Sequence, residues 1–186
     1  MLVEKVMTSD VEACLASNTL SEAAAVMWRR DCGAVPVVDE GRRVVGVLTD
    51  RDICMALTTR AQLATEIKVG DVMTGSPRTC TTADDVREAL DVMKKSQLRR
   101  LPVVDGAGRL AGILSINDVI RHSDRGKSKK HVSHADAMAA LKAISAPHRG
   151  GGKKTKSPDA DPPDPDADGG DNDNADNTAP DQQADG

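Results

Sequence analysis

Aromatic side chains are nearly missing from this 186-residue chain, which has no tyrosine, no phenylalanine and one tryptophan, Trp28. Single-stranded nucleic acid is held largely by bases stacked on aromatic rings, so that mode of binding is disfavoured. Histidine does not occur before His122, the four cysteines form no C-x-x-C, and neither G-x-S-x-G nor a Walker loop is present. Without these constellations the chain reads as non-enzymatic, with no catalytic and no metal-ligating residues. No apolar stretch approaches the roughly 18 residues needed to cross a bilayer. The opening MLVEKVMTSD has neither the basic start nor the apolar run of a signal peptide. Together with Cys14, Cys32, Cys54 and Cys80 read as buried thiols in a reducing compartment, this points to a cytoplasmic protein with no membrane partner.

Charge is present but segregated. Residues 1–120 carry 15 Lys/Arg against 17 Asp/Glu, residues 121–157 carry 10 against 2, and the last 29 residues carry ten Asp and no base. The net charge of −4 therefore hides a near-neutral first part, a basic stretch and an acidic tail. The basic runs, Arg121 to Lys130 and Lys153 to Lys156, invite a nucleic-acid reading. The acidic tail competes for the same bases within the chain, and a solvated linker is the better account. From Pro158 onward the sequence is almost wholly Asp, Pro, Ala, Gly and Asn, too poor in apolar surface to offset chain entropy, and reads as disordered. Between the runs, Ser133 opens a short helix to about Ser145, with Ala137, Met138, Leu141 and Ile144 expected on one face. His131-x-x-His134 lacks a second ligand pair and is read as linker histidines.

The dominant feature is an internal repeat. A shift of 66 residues lays positions 3–53 on 69–119 without a gap, with 17 identities among 51 pairs. Each copy reads strand, helix, strand, strand, helix. Val11–Leu15 and Pro77–Thr81 are extended. Thr19 with Glu22, and Asp85 with Glu88, are capping boxes that open helices ending near Cys32-Gly33 and Ser96-Gln97. Two β-rich runs then flank a turn, Asp39-Glu40-Gly41 in one copy and Asp105 to Gly108 in the other. One copy, about 50 residues, is marginal alone, so the two should pack through their sheets about a pseudo-twofold axis. The fold class is α/β (α+β), with a first copy at 1–60, a linker at 61–68, a second copy at 69–123, a basic linker with a short helix at 124–150, and a tail at 151–186.

The segments Gly46-Val47-Leu48-Thr49-Asp50-Arg51-Asp52 and Gly112-Ile113-Leu114-Ser115-Ile116-Asn117-Asp118 share one pattern, a glycine, two apolar residues, a hydroxyl and an acid. A hydroxyl at a helix start lies where free N–H groups attract a phosphate, and an acid one turn on can accept from a ribose diol. The glycine lets a backbone or ligand approach closely. The same pairs also serve as ordinary helix caps, and spacing alone does not separate the two uses.

Val-Met-Thr at the start of each copy, the Pro-Val-Val-Asp strand and this terminal pattern together resemble a tandem pair of cystathionine-β-synthase (CBS) domains, a Bateman module, of the small stand-alone type. The resemblance spans residues 3–122. It implies a regulatory protein that binds AMP, ADP, ATP or S-adenosylmethionine in clefts between the repeats and pairs as a homodimer. Asp52 and Asp118 would take ribose hydroxyls, and Thr49 and Ser115 would lie by phosphates. Ala34-Val35-Pro36 and Arg100-Leu101-Pro102 would line base pockets. Arg51 would meet a phosphate where copy two has Asn117, making the Asp52 cleft the better anion site. Rival readings are a ligand-free scaffold acting through a protein partner, and a redox sensor using Cys14 and Cys80 as symmetry mates on adjoining strands.

Overall fold

Among the described residues, each α-helix start is fixed by side chains that return to their own backbone. In the computed structural model, which describes residues 1–125 and 132–147, α1 (Leu20–Arg29) is capped by Thr19 and Glu22, and α3 (Val86–Ser96) by Asp85 and Glu88. The second helix of each copy, α2 (Asp50–Arg60) and α4 (Ile116–Arg121), opens on a capping box from Thr49 with Asp52 and from Ser115 with Asp118. These reciprocal bonds satisfy donors that a helix start otherwise leaves orphaned. The first helix ends earlier than the Cys32-Gly33 pair suggests. Arg30 is its C-cap, and Asp31 turns the chain in the left-handed region at φ 46°.

The strands are β1 (Cys14–Leu15), β2 (Ala34–Val38), β3 (Val44–Thr49), β4 (Thr74–Gly75), β5 (Cys80–Thr81), β6 (Arg100–Val104) and β7 (Leu110–Ser115). Only two residues of each expected leading strand pair with a neighbour, at Cys14–Leu15 and Cys80–Thr81. Within each copy a parallel pair, Cys14 against Val37 or Cys80 against Val103, adjoins an antiparallel pair, Ala34 against Thr49 or Arg100 against Ser115. A register shift recurs at Val37/Val38 and Val103/Val104. The result is a mixed α/β fold of two β-α-β-β-α repeats with a sheet each.

The repeats exchange their leading segments. Thr74, at the start of copy two, pairs with Val47 of copy one, and Thr8, at the start of copy one, pairs with Ile113 of copy two. Val3 and Val6 are buried in the core built on Leu90, Met93, Leu101 and Leu114. Ile67 and Val69 complete the core of Leu20, Met27, Val35 and Leu48. A bridge between Arg43 and Arg109, which are 66 positions apart, joins the sheets where β3 and β7 begin. The glycines of the shared pattern permit the exchange. A methyl group on Gly112 would lie 2.5 Å from the Thr8 carbonyl oxygen, and one on Gly46 would meet the Met73 sulfur and, at 3.1 Å, the Thr74 carbonyl.

After copy two, α5 (His134–Ile144), capped by Ser133 and Asp136, packs against α3 and α4. Its buried residues are Ala137, Ala140 and Ile144, an i, i+3, i+7 set. Met138, expected on that face, points outward at 53% exposure, because at about 3.6 residues per turn it falls well round the helix from the stripe of Ala137, Ala140 and Ile144. No helix among the described residues is long and apolar enough to cross a membrane. His131, the basic runs from Lys127 to Lys130 and from Lys153 to Lys156, and the acidic tail lie outside the described residues.

Candidate ligand site

The end of β7 and the start of α4 bring Ser115 and Asp118 together. The Ser115 amide donates to Asp118 Oδ2 at 2.9 Å and its hydroxyl at 2.6 Å, while the Asp118 amide donates to Ser115 Oγ at 3.2 Å. Arg121, one turn on, donates to the other oxygen, Oδ1, at 2.7 Å. Asp118 is 5% exposed, the one buried charged residue among those described. Burying a carboxylate is costly unless it is paired and hydrogen-bonded, and here both oxygens are satisfied. The Thr49–Asp52 cluster repeats this geometry at 2.9, 2.7 and 3.2 Å, with Met55 where Arg121 stands in copy two.

A cavity of about 560 Å³ opens beside Asp118, within the size range of small-molecule sites. Of the residues read from sequence, Ala34, Arg100, Ser115 and Asp118 line it. The leading segment of copy one adds Asp10 and Glu12, and the end of α1 with the turn after it adds Arg29, Arg30 and Asp31. The sequence reading missed these, because their signal lies in tertiary pairing of α1 with the exchanged segment. Arg29 donates to Glu12 at 2.9 Å, and Arg30 pairs with the Asp10 carboxylate at 2.7 Å and with its carbonyl at 2.6 Å. Asp10 beside Arg30 pushes that guanidinium further up from its already high range.

The remaining expected residues fall elsewhere. Val35, Pro36, Leu101 and Pro102 are buried in the strands, with Val35 and Leu101 in the two cores. Asn117 lines a smaller crevice of about 170 Å³ together with Arg99 and Arg100. Thr49, Arg51 and Asp52 do not line the cavity beside Asp118. The free amides expected at the start of α2 are engaged: Asp50 donates to the Gly33 carbonyl, Arg51 to Asp50 Oδ1 and Asp52 to Thr49 Oγ1.

Cys14 and Cys80 are buried as expected, but they are not neighbours. Cys14 and Cys80 lie in separate sheets, each paired to the middle strand of its own repeat, because the sheets meet at β3 and β7 and not at β1 and β5. Burial pushes their thiols up to about 11 and about 12, the opposite of an activated thiol. Cys54 is exposed on α2 and Cys32 is half-buried. Among the described residues no group of three His, Cys, Asp or Glu is placed to hold a metal.

The CBS domain family profile matches residues 3–59 and again 69–125. The chain belongs to the CBS-domain family. It is 30% identical over 140 residues to the CBS domain-containing protein YhcV of Bacillus subtilis, covering 71% of this chain and 95% of that one. Among solved structures, the CBS domain pair of protein MJ0100 in complex with 5′-methylthioadenosine and S-adenosyl-L-methionine superposes with a TM-score of 0.59 at 26% identity, over 65% of this chain and 94% of the other. CBSX2 of Arabidopsis thaliana in complex with AMP superposes with a TM-score of 0.57 at 28% identity, over 64% and 93%. The CBS pair also matches mycobacterial inosine-5′-monophosphate dehydrogenases at 32% identity, but spans 21% of their length. CBS pairs are regulatory modules that take adenosyl ligands in these relatives.

Proposed function

We propose that this chain is a non-enzymatic regulatory protein that binds an adenosyl ligand in the cavity beside Asp118 and works as a homodimer. The observation that carries the reading is the buried Asp118 carboxylate at the wall of a 560 Å³ cavity. A ribose diol has two donors to offer such a carboxylate, and it would share the Asp118 oxygens with Arg121, whose ion pair stays in place. Support for the ligand class comes from relatives solved with AMP and with S-adenosyl-L-methionine.

The test is a thermal-shift series on the full chain with those four ligands and NAD. A native-state ligand at a hundredfold its Kd should add about 2.7 kcal/mol of stability. Asp118→Asn retains an oxygen acceptor for the cap but removes the charge, and it should reduce the shift. Absence of any shift in the parent protein would refute the reading and favour a ligand-free scaffold that acts on a protein partner. A ligand regulates only if it binds two arrangements of the module unequally, so the same series should be repeated across protein concentration.

A further inference from the structure

The charges that line the cavity nearly all neutralise one another. Four arginines, Arg29, Arg30, Arg100 and Arg121, face four acids, Asp10, Glu12, Asp31 and Asp118. Three of the arginines are committed. Arg29 is held by Glu12, Arg30 by Asp10 and Arg121 by Asp118, at 2.9, 2.7 and 2.7 Å. Among the described residues, Arg100 makes no ion pair or side-chain hydrogen bond, and neither does Asp31. Arg100 begins β6 directly opposite Ser115, and among the described residues that line this cavity it is the one uncommitted cation.

We infer that this cavity selects a nucleoside carrying one anionic group, a phosphate monoester or the carboxylate of a zwitterion, and discriminates against di- and triphosphates. The inference rests on the adenosyl-binding reading above. Each further phosphate brings negative charge into a site whose remaining guanidiniums already have carboxylate partners. It must break an Arg29–Glu12 or Arg30–Asp10 pair, leaving an acid beside the new phosphate. A single anion meets Arg100 without breaking anything. The acids that hold Arg29 and Arg30 belong to copy one alone: 66 positions on, Glu12 and Asp10 become Arg78 and Ser76. Charge discrimination is thus built into one cleft and is not a property of the repeat.

The experiment titrates the full chain, metal-free, with adenosine, AMP, S-adenosylmethionine, ADP and ATP by calorimetry. AMP or S-adenosylmethionine should bind more tightly than adenosine, and ADP and ATP more weakly than AMP. Arg100→Gln should abolish the advantage over adenosine, a loss of about two- to fivefold, the size of one partly screened charge contact. Adenosine should lose less affinity than AMP does, since it carries no anion for Arg100 to meet. The double variant Asp10→Asn with Glu12→Gln frees Arg29 and Arg30, and ATP affinity should then rise relative to AMP. Binding of ATP at least as tightly as AMP in the parent, or no change of preference in either variant, overturns the inference while leaving the adenosyl-binding reading intact. Failure of every nucleoside to bind overturns both.

Discussion

At the scale of single residues, the thiols show how burial sets chemistry. Cys14 and Cys80 occupy the same place in each repeat, 3% and 5% exposed, and desolvation holds both protonated well above the ordinary thiol range. A thiol reagent on the native protein should therefore modify Cys54 first and Cys32 more slowly, sparing Cys14 and Cys80 until the chain unfolds. Rapid native labelling of either buried thiol would restore the redox reading. The sign of the pH effect follows from the same shift. The unfolded thiols release protons near 9.0 and the folded ones near 11 and 12, so the unfolded state gains by ionising first. Stability should hold below pH 9 and fall between pH 9 and about 11 to 12. The chain has no tyrosine to titrate over that range. Urea midpoints for Cys80→Ala should show a shallower alkaline decline than the parent, and an equal slope would assign the effect to lysines.

At the scale of elements, much was legible because the determinants are local. The capping boxes at Thr19, Asp85, Thr49 and Ser115 name their helix starts in four residues each, and the short β-rich runs around Asp39 and Asp105 name the hairpins. What escaped notice depends on long-range partners. The expected strand at Val11–Leu15 shortens to two residues because the preceding segment turns to the other repeat, where Thr8 pairs with Ile113. The acids Asp10 and Glu12 reach the candidate site by that route, so no spacing rule could place them there. The close approach itself was readable from glycine. Gly112→Ala should destabilise the fold by roughly 1–3 kcal/mol, since the Thr8 backbone, unlike a side-chain tip, cannot give way cheaply. Gly46→Ala meets the flexible Met73 side chain first and should cost less. Denaturant midpoints at constant m decide the order, and equal costs would mean that the exchanged segment yields as readily as a methionine.

At the scale of the whole described unit, the duplication leaves its two helical faces unequally finished. On copy two, α5 covers α3 and α4 with Ala137, Ala140 and Ile144. On copy one, a groove of about 420 Å³ along α1 and α2 is lined by Ala24, Met27, Trp28 and Ile53, and Trp28 is 88% exposed. A large aromatic left open at such a groove is the kind of anchor that interface cores use. The homodimer proposed above would bury it against the same face of a second copy, the self-complementary arrangement that a twofold axis requires. Sedimentation of the full chain should then give a dimer, and Trp28→Glu a monomer whose thermal shift with AMP is retained, since Trp28 does not line the Asp118 cavity. The sole tryptophan supplies its own reporter: its emission should move to longer wavelength as the parent is diluted through the dimer dissociation range. A monomer at all concentrations would mean that copy one keeps its open face in solution. Loss of the AMP shift together with the dimer would mean instead that ligand and partner subunit are read by one equilibrium, in which binding at Asp118 and burial of Trp28 must strengthen each other by the same factor.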